Sequence, residues 1–220
     1  MNNIKKNLLD IKTSIPEEVT LVAVSKTKPV SDLMQAYEAG QRIFGENKIQ
    51  EMAEKWKMMP KDISWHMIGH VQTNKVKYMA PFVDLIHAVD SFKLLKEINK
   101  QAKKHNRTIN CLLQVKIAQE ESKFGLSEEH VSNLLASEEV KSLSNIRILG
   151  FMGMATFTEN QEQIQSEFKK IKDFFDQSKS KYPELKILSI GMSGDYKTAM
   201  NYGSTMVRIG SSIFGARNYG

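Results

Sequence analysis

Lys26 follows a short apolar run in the segment LVAVSKTKP, residues 21–29. Side chains alternate along a strand, so Val22, Val24 and Lys26 share one face. A lysine at a strand end is by itself typical of a surface charge whose stem packs on apolar neighbours. In a pocket with apolar walls and a second cation, desolvation and like charge would instead lower the pKa of its amine. A lowered pKa is what a Schiff-base lysine needs.

Arg208 lies inside a second apolar run, MVRIG. It shares one strand face with Gly210, whereas the branched valine and isoleucine on either side of it face the other way and suit packing against helices. We therefore expect Arg208 and Gly210 to point inward. A buried arginine needs a partner. Two interpretations remain open: a structural ion pair with Glu46 or Asp195, or contact with a ligand.

Two clusters of glycine and serine could bind a phosphate group. They are GMSGD, residues 191–195, and GSS, residues 210–212. Glycine permits close approach of the backbone, and Ser193, Ser211 and Ser212 offer hydroxyl donors. On adjacent strand ends of a parallel barrel, such clusters often build a phosphate site from backbone amides. The alternative is that both clusters only form tight turns.

The elements that must position these residues alternate regularly. Eight apolar segments, from TLVAVSK to TMVRIGSSIFG, read as strands, and helical patterns separate them. Strict alternation predicts a parallel sheet, and eight units favour a closed (β/α)8 TIM barrel over an open sheet. We expect one barrel domain over residues 1–220. An extra N-terminal helix precedes it, with Ile4, Leu8, Ile11 and Ile15 at helical spacing.

Several local signals define the helices between the strands. Ser91 and Ser127 are predicted N-caps, and acidic residues follow Ser127 as the helix dipole favours. The segment SEEHVSNLLASEEVKSL is predicted as one helix after the fifth strand. TNKVKYMAPF is predicted as the helix after the third strand.

Composition excludes several classes of function. The 220 residues are 41% hydrophobic and 25% charged, which is typical of a globular protein. The net charge of +6 comes from lysines mixed with acidic residues along many segments, which indicates solvated helix faces and no nucleic-acid partner. The lone Cys111 cannot form an internal disulfide, which favours a reducing cytoplasm. No signal peptide or membrane-spanning stretch is recognisable.

Other candidate residues carry weaker signals. His66 could be a hydrogen-bonded core histidine. His70, His87 and His105 show no metal-ligand spacing, so we expect no metal. The segment KFG, which begins at Lys123, is predicted to be a loop turn. GxSxG, P-loop and GxGxxG motifs are absent from the sequence.

Seven stretches together resemble one known family. They are LVAVSKTKP, FGENKIQE, WHMIGHVQTNK, KFGL, LGFMGMAT, LSIGMSGDY and GSTMVRIGSSIFGAR, in this order along nearly the whole chain. The sequence resembles the pyridoxal phosphate homeostasis proteins, which are related to the N-terminal barrel of alanine racemase. The resemblance implies a barrel of that type that holds pyridoxal 5′-phosphate (PLP).

The resemblance also implies roles for individual residues. Lys26 matches the lysine that forms a covalent aldimine with PLP, and Arg208 matches the arginine that faces the pyridine nitrogen. Ser193, Gly210 and Ser211 match phosphate contacts. Asn47, His66 and Met154 match positions that line the pocket.

The family is thought to buffer and deliver PLP inside the cell without turnover, so no catalytic residue is expected. An arginine at the ring nitrogen keeps that nitrogen unprotonated, which makes the ring a poor electron sink. Racemisation needs acid and base groups on both faces of the α-carbon, and the racemase relatives take one of them from a tyrosine on a second domain. We expect that domain to be absent, because this chain ends at Gly220 after the eighth strand.

The expected partners are the cofactor and PLP-dependent apo-enzymes, with no nucleic acid and no membrane, and the expected state is a monomer. Two other functions remain open. One is a true PLP enzyme, for example a racemase that acts as a small monomer. The other is a barrel enzyme for a phosphorylated metabolite that uses the glycine and serine clusters without PLP.

Overall fold

Eight parallel strands form a closed barrel in chain order in the computed structural model, which describes residues 3–119 and 124–216. The strands are β1 (Thr20–Val24), β2 (Ile43–Glu46), β3 (Ser64–Met67), β4 (Val83–Val89), β5 (Ile109–Gln114), β6 (Ile146–Met152), β7 (Ile187–Met192) and β8 (Met206–Ile209). β8 pairs with β1 and closes the barrel. The prediction of a (β/α)8 barrel is confirmed. Of the predicted turn KFG, Lys123 lies outside the described residues, whereas Phe124 and Gly125 are described and lie outside helices and strands, with a φ of +141° at Gly125.

Helices precede, separate and follow the strands. They are α1 (Ile4–Ser14), α2 (Val30–Glu38), α3 (Ile49–Met58), α4 (Phe92–Lys104), α5 (Glu128–Ala136), α6 (Glu138–Lys141), α7 (Gln161–Lys181), α8 (Tyr196–Asn201) and α9 (Ser211–Phe214). Both predicted serine caps are present. Ser91 accepts a hydrogen bond from the Leu94 amide, and Ser127 accepts one from the His130 amide.

Two predicted helices differ from the structure. The segment after β3 forms a short 3-10 helix, Thr73–Tyr78. Pro81 disfavours helical backbone at the residue before it, so the chain cannot extend this turn into a long α-helix. The predicted helix after β5 is divided at Ser137, which has an extended backbone and accepts a hydrogen bond from the Val140 amide. A serine that caps a new helix interrupts the preceding one.

The strands separate two apolar cores. The larger core lies between the barrel and its helices and includes Val207 and Ile209. The smaller core fills the barrel interior; its buried members are Val22, Leu85, Ala88, Leu112, Met152 and Met206. The alternation predicted for β1 and β8 is therefore observed, with Val22 inside and the branched neighbours of Arg208 outside.

The N-terminal helix α1 packs on the barrel as its spacing predicts. Ile4 and Leu8 are buried, and Ile11 and Ile15 pack at the margin of the larger core. The Asn7 side chain donates a hydrogen bond to the Ile213 carbonyl at 3.1 Å, which ties α1 to α9. Within the described residues, we find no helix that is both long and apolar enough to span a membrane.

Gly150 provides a test of the close approach between β6 and β7. A Cβ atom at this position would overlap the backbone carbonyl of Ile187, and Gly150 also has a φ of +156°. We expect Gly150→Ala to lower the free energy of unfolding by about 3 kcal/mol, because backbone atoms must shift. Urea denaturation measures the change. Gly194→Ala is the matched control, since nothing lies within 4 Å of its Cβ position; equal stability losses in both variants would contradict the assignment.

Candidate functional site

The predicted site residues lie at the carboxyl-terminal end of the barrel. Lys26 follows β1 by two residues and is half-buried, and Ser193 directly follows β7. Gly210 and Ser211 follow β8, which pairs with both β1 and β7. Because all strands are parallel, their ends meet at one edge of the barrel. The lysine and the two glycine and serine clusters therefore share the end where barrel enzymes place their active sites.

Ser193 joins the two glycine and serine clusters. Its Oγ accepts hydrogen bonds from the amides of Gly210, at 3.2 Å, and Ser212, at 3.5 Å. The turn after β7 is closed by the Met192 amide, which donates to Asp195 Oδ1 at 2.6 Å. The clusters thus form tight turns, and these turns also concentrate hydroxyl and amide groups, which are the donors that an anionic oxygen needs.

Arg208 is buried inside the barrel, with 3% of its surface exposed. Its Nη1 donates to the Ser189 carbonyl at 2.8 Å and to Ser189 Oγ at 2.7 Å, and its Nη2 donates to the Gly153 carbonyl at 3.0 Å. Desolvation lowers the pKa of Arg208 to about 10, while the Asp195 carboxylate acts in the opposite direction. The guanidinium is therefore charged at neutral pH.

Of the two carboxylates considered as structural partners of Arg208, Asp195 acts on it electrostatically, and Glu46 pairs elsewhere. The Glu46 carboxylate instead accepts a hydrogen bond from Lys55 Nζ at 2.8 Å. Lys55 lies on α3, one helical turn after Glu51, and its Nζ contacts Glu46, the last residue of β2, from the helix layer outside the barrel. Glu46 is thus paired with a cation from the helix layer, and the hydrogen bonds of Arg208 go to neutral acceptors inside the barrel.

A chain of polar side chains crosses the barrel interior from β3 to β8. His66 Nδ1 lies 3.0 Å from His87 Nε2, and His87 Nδ1 lies 3.0 Å from Ser189 Oγ, which accepts from Arg208. Desolvation lowers the pKa of His66 to about 3. Desolvation, followed by the proximity of His66 and Arg208, holds the pKa of His87 well below its usual value. Both imidazoles are neutral at pH 7.

Proton counting gives this chain a direction. An arginine only donates, so Ser189 Oγ accepts from Arg208 and has its own proton to give. Donating that proton to His87 Nδ1 leaves the proton of His87 on Nε2, which then donates to His66 Nδ1. His66 accordingly carries its proton on Nε2. Both buried imidazoles therefore act as hydrogen-bonding groups. This agrees with the interpretation of His66 from the sequence as a hydrogen-bonded core histidine.

Asn47 and Met154 lie around the same end of the barrel. Asn47 directly follows β2, and its backbone lies so close to Gly69 that a Cβ atom on Gly69 would overlap the Asn47 carbonyl. Met154 is half-buried and packs on the apolar cluster that fills the barrel interior. Asn47 follows β2 and Met154 follows β6, so both lie at the end of the barrel that carries Lys26. Direct hydrogen bonds connect Ser193 with Gly210, and a relay of bonds connects His66 with Arg208.

Sequence reasoning missed Ser189, His87 and Lys55 as parts of the site. Strand alternation could have placed Ser189 in the barrel interior, because Ile187 lies on the same strand face and packs on the interior cluster. His87 shares a face with the interior Leu85 in the same way. Lys55 sits in a lysine-rich helix, and its sequence does not distinguish it from the solvated lysines around it.

Comparison with known proteins identifies the family. The family described as alanine racemase, N-terminal domain, matches residues 1–218. The pyridoxal phosphate homeostasis protein of Vibrio alginolyticus is 37% identical to this chain, and the match covers 100% of both. The protein of the same name from Haemophilus influenzae is 38% identical over 99% of this chain and 97% of its own length.

Solved structures give the same answer. PipY of Synechococcus elongatus without PLP has a TM-score of 0.90 at 32% identity, over 96% of this chain and 100% of its own. PipY with PLP bound has a TM-score of 0.86 at 31% identity and the same coverage. Alanine racemase of Clostridium difficile shares the fold, with a TM-score of 0.78 at 16% identity over 56% of the racemase. This chain therefore belongs to the family of pyridoxal phosphate homeostasis proteins.

Proposed function

We propose that this protein binds PLP covalently through Lys26 and works in intracellular PLP homeostasis by storing and delivering the cofactor without turnover. One observation carries the proposal. A half-buried lysine, a buried charged arginine and a turn rich in hydroxyl and amide donors occupy one end of a barrel in the family that includes PipY, which has been solved with PLP bound.

The residues present fit the chemistry of this cofactor. Ser193, Gly210 and Ser211 supply hydroxyl and amide donors suited to a phosphate. The Lys26 amine would hold the cofactor covalently, by condensation with the PLP aldehyde and loss of one water molecule. Arg208 would face the pyridine nitrogen, and Asn47, His66 and Met154 would line the remaining walls. PLP acts as an electron sink when it is bound in an enzyme.

The interior of the barrel supports binding without turnover. The hydrogen bonds from Arg208 to Ser189 and Gly153 hold a fixed positive charge, and such a charge beside the ring nitrogen disfavours its protonation. An unprotonated ring withdraws electrons poorly. The two interior histidines are neutral and committed to each other and to Ser189. Neither is poised near pH 7 as an efficient general base requires.

A racemase is the second candidate, because the chain shares its fold with alanine racemase. A PLP-free enzyme for a phosphorylated metabolite is the third, because Ser193 and Gly210 would serve any phosphate. We further propose that PLP-dependent apo-enzymes receive the cofactor, that the protein acts as a monomer, and that its compartment is the cytoplasm. The burial of the lone Cys111 in the larger core fits that reducing environment.

Replacing Lys26 tests the covalent link. We expect Lys26→Ala to lose the near-visible absorbance band of the Schiff base, which borohydride reduction also abolishes, because no other amine is proposed to form it. Lys48→Ala is the matched control, since this exposed lysine lies at the same end of the barrel. A band that persists in Lys26→Ala refutes the assignment. A wild-type protein that forms no band with PLP favours the phosphorylated-metabolite candidate.

An amino-acid chirality assay tests the absence of turnover. We expect the PLP-loaded protein to convert L-alanine to D-alanine no faster than Lys26→Ala incubated with equal PLP, because the pKa values of both interior histidines lie well below neutrality. Chiral chromatography of the product provides the measurement. Conversion well above the Lys26→Ala background would establish a racemase and overturn the non-enzymatic proposal.

The neutral histidines predict a loss of stability in mild acid. The pKa of His66 is about 3 in the folded protein and about 6.5 when unfolded. The unfolded chain therefore binds the proton first, so the stability present above about pH 6.5 decreases as the pH falls towards 3. Each such histidine contributes at most about 1.4 kcal/mol per pH unit.

Urea denaturation between pH 7.5 and 5 measures this slope. We expect a shallower slope for His66→Asn than for the wild type, whereas His105→Asn, at an exposed position, should leave it unchanged. An imidazole of His66 that titrates near pH 6.5 in the folded protein, followed by NMR, would contradict the prediction.

A further inference from the structure

A buried ion cluster lies directly beside the turn that carries Lys26. Its centre is Lys55, which is 5% exposed. Lys55 Nζ donates to Glu46 Oε1 at 2.8 Å, to Glu51 Oε1 at 2.7 Å and to the Ser25 carbonyl at 2.8 Å. A lysine ammonium has three protons, so its donor capacity is fully used. One side chain from α3 thus connects β2, its own helix and the end of β1.

The cluster fixes the residue before Lys26. Ser25 is fully buried, and its Oγ donates to Glu46 Oε1 at 2.6 Å while its carbonyl accepts from Lys55. The Ser25 amide donates to the Gly45 carbonyl at 3.0 Å, which continues the sheet. Every polar group of Ser25 is therefore held by β2 or α3.

The cluster also fixes the residue after Lys26. Thr27 has a φ of +64°, a left-handed conformation that is unfavourable for a β-branched residue. Its amide donates to Glu51 Oε1 at 2.6 Å, the same oxygen that accepts from Lys55. The Lys28 amide donates to the Ser25 carbonyl at 3.1 Å and closes a tight turn. Lys26 is the second residue of this turn, and Thr27 occupies the third, where glycine is the usual choice for positive φ.

Stability alone does not account for this arrangement. Burying an ion pair is often no better for stability than apolar packing of the same volume. Within the described residues, Glu46 Oε2 is buried without a hydrogen-bond partner, and such an atom is costly. Thr27 adds backbone strain. These costs fall on Lys55, Glu46, Glu51 and Thr27, which lie beside Lys26. A buried polar cluster of this kind specifies the conformation of the turn that carries the lysine.

We propose that Lys55, Glu46 and Glu51 are positioning residues that preset the turn at residues 25–28 and so direct the Lys26 amine into the site. This inference rests on the proposed function of Lys26. The cluster does not contact the cofactor in this scheme. It acts by removing the conformational freedom that Lys26 would otherwise lose when PLP binds, and preorganisation of this kind raises affinity.

Two substitutions of Glu51 distinguish the loss of its hydrogen bond with the Thr27 amide from a general disturbance of the fold. Glu51 is half-buried, and Glu51→Gln retains an oxygen that can accept from the Thr27 amide, whereas Glu51→Ala removes it. We expect Glu51→Ala to raise the dissociation constant for PLP about tenfold, as the loss of one charge-assisted hydrogen bond predicts. Glu51→Gln should recover most of this affinity. Asp173→Ala, which breaks an exposed i,i+4 ion pair on α7, is the control and should bind PLP as the wild type does.

Pyridoxine 5′-phosphate has no aldehyde and cannot form a Schiff base. Its affinity therefore shows whether Glu51→Ala affects the Lys26 amine or the rest of the pocket. We expect Glu51→Ala to bind it with unaltered affinity, since the rest of the pocket is intact. Hydrogen exchange of the amides at residues 25–28 should be faster in Glu51→Ala than in Glu51→Gln. Equal losses for both ligands, or unchanged exchange, would overturn the inference.

The outcomes also separate this inference from the proposed function. A wild-type protein that forms no Schiff base refutes the proposed function of Lys26, and the inference with it. If the wild-type protein forms the Schiff base and Glu51→Ala binds PLP at the same rate and with the same affinity, only the positioning role is refuted.

Discussion

The burial of positive charge governs the interior of this barrel. Arg208 projects from β8 into a barrel interior that it shares with apolar side chains and with Ser189 and two histidines, and an uncompensated charge there would be too costly to tolerate. Two carbonyls and one hydroxyl accept its hydrogen bonds, and the Asp195 carboxylate adds an electrostatic contribution. The charge is therefore retained while its position is fixed by β6 and β7. The serine that holds it in turn orients His87 and His66, so four strands share one polar network.

Alternation along the strands made much of this arrangement predictable. The repeated strand and helix segments specify the barrel, and the placement of Arg208 on the face opposite to Val207 and Ile209 follows from period-two geometry. The parallel order of the strands then collects Lys26, Ser193 and Gly210 at one end. These conclusions need only local patterns and the general rule about where parallel strands end.

Pairing across the fold was beyond the reach of the same reasoning. Glu46 shares a strand face with Phe44, which packs in the larger core outside the barrel, so it points away from Arg208. Its pairing with Lys55 depends on the rotation of α3 against β2, which one sequence does not fix. The interior histidines depend on the barrel's closure, because β4 and β7 become neighbours across the interior only when the sheet is complete. The break at Ser137 and the 3-10 helix near Pro81 are local, but each depends on competition between two backbone conformations of similar free energy.

The apolar cluster inside the barrel also determines the route of any ligand. Val22, the register partner of Arg208, occupies the barrel interior together with Leu112 and Met206, and these side chains leave it packed like a core. Because side chains fill the barrel interior in the described residues, a ligand bound among the strand-end loops has no passage through the barrel, and it enters and leaves on the same side. Under the proposed function, an apo-enzyme that receives PLP would therefore approach the barrel from this one end.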